Sequence, residues 1–117
     1  MASDLITRGQ IVYGNVSSAD ASTAVEITLY DRDGNTISMP SDKRLAVVDI
    51  NVTAGANDVA VFFSSTEAAG KAILDSEKDA ALASFNVPRV GPVGEAPHVK
   101  TGTATSTRVQ LHGYLVN

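Results

Sequence analysis

Apolar residues alternate with polar ones in three stretches of the chain. Val25 to Tyr30 places Val25, Ile27 and Leu29 on one side and Glu26, Thr28 and Tyr30 on the other. In Lys43 to Phe63, KRLAVVDINVTAGANDVAVFF, Ala46, Val48, Ile50 and Val52 oppose Asp49, Asn51 and Thr53. Arg108 to Val116, RVQLHGYLV, sets Val109, Leu111 and Leu115 against Arg108, Gln110, His112 and Tyr114. Successive Cβ atoms of a strand point to opposite faces, so this period of two marks half-buried β-strands.

The second stretch predicts a hairpin. Its later half, Val59 to Phe63, is apolar on both sides, and Gly55, Asn57 and Asp58 between the halves supply turn chemistry. Two strands alone do not hold together in water, so a second sheet is expected to cover them. After Tyr30, Asp31 to Asn35 (DRDGN) reads as a turn leading to a return strand from Thr36 that Pro40 ends. Its carboxylates resemble a calcium loop, but Gly34 is fourth where an EF-hand needs a sixth-position glycine, and strands flank it in place of helices.

The remaining segments pattern less clearly. Ile11 to Tyr13 predicts a short strand, and Asn15 to Thr23, rich in Ser, Ala and Asp, a loop. Residues 1–14 therefore read as either a docking arm or an edge strand, with Leu5, Ile6, Ile11, Val12 and Tyr13 as apolar handles and Arg8 as the arm's cation. Residues 15–117 form a single β-sandwich domain. Between Ser64 and Phe85, Ser76 and Asp79 are spaced as a capping box, which predicts one short helix or turn over 76–81. The competing pattern has strands at Lys71 to Leu74 and Ala81 to Val87, joined by a charged loop. Val87 to Lys100, with three of the four prolines, predicts a long connection, because each proline removes a ladder donor. Roughly seven or eight short strands and at most one short helix near 76–81 predict an all-β, antiparallel β-sandwich with a jelly-roll-like crossover.

Composition sharpens this picture. At 117 residues the chain makes one domain, and its 44% apolar content includes only three Phe, three Tyr and no Trp, so the core is built from small branched side chains. No cysteine is present, which excludes disulfides, thiolate zinc sites and a cysteine nucleophile. A net charge of −4 with scattered cations argues against nucleic-acid binding. No apolar run is long enough to suggest a membrane span, and MASDLITRG lacks the regions of a signal peptide, so synthesis in a cytosol is expected.

Reactive constellations are scarce. The sequence has no GxSxG, HExxH, Walker or GxGxxG pattern. A metal site would need His98 and His112 to meet with carboxylates such as Asp49 or Glu95. Glu26 and Asp49 offer carboxylates for sugar chemistry, but only Tyr13, Tyr30 and Tyr114 offer tyrosine platforms. The expectation is a protein that is not an enzyme and uses no cofactor or metal.

The succession from KRLAVVDINVTAGANDVAVFF through FNVPRVGPVGEAPHVKTGTATSTRVQLHGYLV, with Val87-Pro88, its Gly-Pro loop and the closing His112-Gly113-Tyr114, resembles small jelly-roll or β-sandwich proteins of tailed-phage virions, especially capsid decoration (cement) proteins. The resemblance implies a homo-oligomer, usually a trimer, on the outer capsid surface at local three-fold positions. There it would bind the major capsid protein and stabilise the shell, without nucleic-acid or membrane partners. Leu5, Ile6, Arg8, Ile11 and Tyr13 would then face the shell, and Arg108, Gln110, His112 and Tyr114 would meet between protomers. A receptor- or glycan-binding head domain of a tail fibre or tailspike is the alternative.

Overall fold

The computed structural model describes residues 10–18, 20–55, 58–64, 71–76, 80–103 and 105–117. Among the described residues ten strands form two antiparallel sheets, and there is no helix. The larger sheet contains β1 (Ile11–Ser18), β3 (Thr28–Asp31), β4 (Thr36–Ile37), β5 (Arg44–Ala54), β8 (Ala80–Val90) and β10 (Thr107–Val116), in the spatial order β4-β3-β1-β10-β5-β8. The smaller contains β2 (Val25–Glu26), β6 (Val59–Phe62), β7 (Ala72–Ser76) and β9 (His98–Thr101), in the order β2-β9-β6-β7.

Setting aside the β3–β4 hairpin at the margin, the strands pair in a nested way. β1 pairs with β10, β2 with β9, β5 with β8 and β6 with β7. A long double strand wound into two layers gives this connectivity, which is that of a jelly roll. The expected all-β sandwich is therefore the observed fold. Its core is mostly aliphatic: Val12, Ile27, Leu29, Leu45, Val47, Ile50, Val52, Val59, Val61, Val99, Val109, Leu111 and Leu115 are buried, joined by Phe63.

The chain from Lys43 to Phe63 is not a hairpin. β5 lies in the larger sheet and β6 in the smaller, so the two strands belong to different layers. Alternation reveals a strand but not its partner, and in this arch both strands can present an apolar face to the shared core. The inward set of β5 also differs from the expectation. Ile50 and Val52 point inward, but the pairing with β10 slips between His112 and Gly113, leaving Val48 as an extra residue. Beyond this bulge Leu45 and Val47 join the core cluster in place of Ala46 and Val48.

Four further expectations change. Asn15 to Ser18 continue β1, with Asn15 opposite Gln110 and Val16 opposite Val109, so the predicted loop begins later. β1 lies between β3 and β10 and is not an edge strand. Ser76 ends β7 and Ala80 begins β8, so the competing two-strand pattern wins at both ends of the predicted 76–81 helix, whose 77–79 portion lies outside the described residues. The proline-rich connection is shorter than expected: Val87 to Val90 remain in β8, and His98 to Lys100 already belong to β9, an interior strand. Pro88 is tolerated because β8 is an edge strand and its pairing with β5 skips from Ser84 to Arg89.

The DRDGN turn forms as predicted. Asp31 Oδ1 accepts hydrogen bonds from the backbone N–H groups of Asp33 and Asn35, each at 2.9 Å, and Gly34 supplies a φ of 86°.

Candidate functional site

The larger sheet turns one face to the core and the other outward. Because its registers are regular up to the β5 bulge, outward residues line up across the strands. One row runs Thr36, Tyr30, Tyr13, His112, Asp49, Ser84, spanning all six strands. The next runs Thr28, Asn15, Gln110, Asn51, Leu82. An aromatic and charged row thus lies beside a row of amides.

Contacts within the first row are specific. The Tyr13 and His112 rings stack with centroids 5.3 Å apart and planes 15° from parallel. On its other side His112 places Nδ1 3.5 Å from Asp49 Oδ2, a pair whose side chains are both less than half exposed. Tyr13, itself 45% exposed, offers the surface part of an aromatic ring. A shallow groove of about 470 Å³ follows the two rows, with Tyr13, Tyr30, Asp49, Asn51, Gln110 and Leu82 on its walls. Such a surface can stack against an apolar ring face and exchange hydrogen bonds with neighbouring hydroxyls.

The sequence-predicted residues fall into three groups. Arg108, Gln110, His112 and Tyr114 all lie on the outer face of β10, the third strand from the β8 edge. Ile11 and Tyr13 sit beside them in β1, opposite Tyr114 and His112 respectively, so residues assigned to two separate surfaces share one. Leu5, Ile6 and Arg8 lie outside the described residues. Sequence reasoning missed Asn15 and Leu82 as members of this face. Asn15 fell in a supposed loop, whereas Leu82 is recognisable only once β8 is known to pair with β5.

The histidines do not meet. His98 begins β9 in the smaller sheet and places Nδ1 3.1 Å from the Ala96 carbonyl oxygen, whereas His112 lies on the outer face of the larger sheet. Among the described residues no group of three or more His, Asp or Glu side chains is placed to hold a metal ion. A concavity of about 600 Å³ at one end of the sandwich has Glu26, Glu95 and His98 on its wall. There Glu95 is engaged in a 2.9 Å ion pair with Lys71.

The free edges differ sharply. β4 and β2 have two residues each and β7 has five, including Asp75. β8 has eleven, and of its side chains only Arg89 is charged. It exposes Leu82 at 79%, Val87 at 80% and, to a lesser degree, Val90.

No family model and no curated protein matches the chain. Among solved structures, a chain from Bacillus endospore appendages, described as a novel family of disulfide-linked pili, aligns with 92% of this chain and 90% of its own length. The identity is 19% and the TM-score 0.42.

Proposed function

We propose that the protein is a structural module of a larger assembly, in the specific form of a capsid decoration protein that binds and stabilises an outer shell of major capsid protein. The reading rests on the sequence resemblance and on one observation: the long β8 edge leaves Leu82, Val87 and Val90 in solvent. Exposed aliphatic side chains along an edge that no strand pairs among the described residues offer a surface that another protein can cover. In this role the protein acts by binding, without a catalytic step, and is located on the virion surface.

The test is binding of the purified chain to shells that lack it, followed by sedimentation and electron microscopy. Full-length protein should decorate the shells, and a form lacking residues 2–10 should remain folded but fail to bind. Undecorated shells with the full-length protein refute the reading.

A second reading, a receptor- or glycan-binding head domain, is favoured by the groove beside Tyr13, His112 and the amide row. It predicts glycan-array binding that disappears in Tyr13→Ala, and a silent array rejects it.

A further inference from the structure

Each free edge of a sheet offers unpaired N–H and C=O groups to any passing strand, and proteins usually blunt such edges by shortness, charge or a bulge. Among the described residues three of the four edges fit that rule: β2 and β4 are two residues long, and β7 is short and carries Asp75. β8 does not fit it over its first half. Ala80 to Ser84 pair with β5 without a break, from Ala80 opposite Thr53 to Ser84 opposite Asp49. These five residues, Ala-Ala-Leu-Ala-Ser, contain no charge and no proline, and among the described residues no strand covers their other side.

This segment is complementary to itself. If a second copy approaches antiparallel with Leu82 on the two-fold axis, Leu82 faces the partner's Leu82. Ala81 then faces the partner's Ala83, and Ala80 the partner's Ser84. Every opposed pair is small or apolar and no like charges meet. Leu82 is 79% exposed on the outer face of the sheet, so an identical leucine can cover it without any rearrangement of the core. The four residues after Ser84 skip their pairing with β5, which limits the regular edge to this stretch.

We infer that two copies of the chain associate through β8, Ala80 to Ser84 pairing antiparallel about Leu82 so that the two larger sheets become one continuous sheet. The contact is isologous and closes on itself, using up the edge it forms. Its short ladder places the association in the weak class of interfaces. It deepens the assembly reading by naming a partner, and it replaces the three-fold arrangement implied by the resemblance with a two-fold one.

The absence of cysteine allows a direct test. Paired residues on neighbouring antiparallel strands have Cα atoms about 4.5–5.5 Å apart, within the 4.4–6.8 Å span of a disulfide. Leu82→Cys should therefore form a covalent dimer under mild oxidation. Val87→Cys, equally exposed but five residues from the axis, should not. Light scattering at high protein concentration should give twice the chain mass for the unaltered protein and the single-chain mass for Leu82→Lys, with unchanged circular dichroism. A monomeric unaltered protein, an uncrosslinked Leu82→Cys, or Val87→Cys crosslinking equally well would each overturn the inference. Shell binding by a protein that fails these tests leaves the decoration reading standing, so the two can fail separately.

Discussion

Gly113 lies where the central strand β10 meets the bulge of β5, and replacing it with alanine tests the packing there. A Cβ at this position would overlap the Ala46 carbonyl oxygen and sit 3.1 Å from that carbonyl carbon and 3.2 Å from Val47 Cα. All three are backbone atoms, so no side-chain rotation relieves the clash, and β5 and β10 must separate by something on the order of 1 Å. Overpacking of this kind costs about 1–3 kcal/mol, and stretching one ladder hydrogen bond costs about 1 more. The stiffer unfolded chain returns about 0.4–1 kcal/mol. The net loss is about 2–3 kcal/mol, and at about 4 °C per kcal/mol for a chain of this size it lowers Tm by roughly 10 °C. Gly14→Ala is the control. Its Cβ would meet Leu111 Cγ at 2.6 Å and Ile27 Cγ2 at 3.0 Å, atoms of buried side chains that can shift without parting two strands, so the loss should be smaller. Both variants are measured by thermal and urea unfolding. A Gly113→Ala protein as stable as the parent, or more stable than Gly14→Ala, refutes the backbone clash.

Two other expectations follow from the turns. Asp31→Ala removes the acceptor for two backbone N–H groups and should cost about 1–2 kcal/mol in urea unfolding, with Asp31→Asn retaining most of the stability. The Asp20 carboxylate accepts hydrogen bonds from the Ser22 hydroxyl at 2.7 Å and the Ser22 backbone N–H at 2.9 Å, which hold its pKa below the usual 3.8. Because the folded pKa is the lower one, the contribution is present above the unfolded value and is lost as pH falls through the folded value. NMR titration should therefore place Asp20 below 3.8 and move it upward in Ser22→Ala.

The strands of this fold are legible in proportion to how fully one face is buried. β10 reads correctly from Val109 to Leu115 because it lies within the larger sheet with one face on the core. Ile27 and Leu29 are likewise identified as inward, yet the same short run serves two sheets, β2 pairing with β9 and β3 with β1. No local pattern announces that change of layer. β8 is the converse case. At an edge, few of its side chains are fully covered, so Ala80 to Ser84 resembled the flank of a capped helix more than a strand.

The candidate surface was legible where it depends on alternation and hidden where it depends on register. Arg108, Gln110, His112 and Tyr114 follow from the outward positions of one strand. That Tyr13 stacks on His112, and that Asn15 and Asn51 flank Gln110, depends on pairing between strands far apart in sequence. A shift of one residue in either pairing would turn these side chains to the opposite face.

The β5 bulge shows what decides between registers when the sequence pattern does not. Leu45 to Val48 is a run of four apolar residues, so extending the alternation back from Ile50 selects Ala46 and Val48 as the inward pair. The extra residue at Val48 instead turns Leu45 and Val47 inward while keeping Ile50 and Val52 there. Exchanging an inward alanine for leucine at such a site favours the bulged register, since the reverse Leu→Ala change in a core costs about 2–5 kcal/mol. Asp49, immediately after the bulge, keeps its outward direction and its place opposite His112. The interruption therefore serves both faces: it fills the core with the larger side chain on one side and leaves the Tyr13–His112–Asp49 row aligned on the other. Gly113 is required at that level because the bulged backbone of β5 occupies the space a side chain would need.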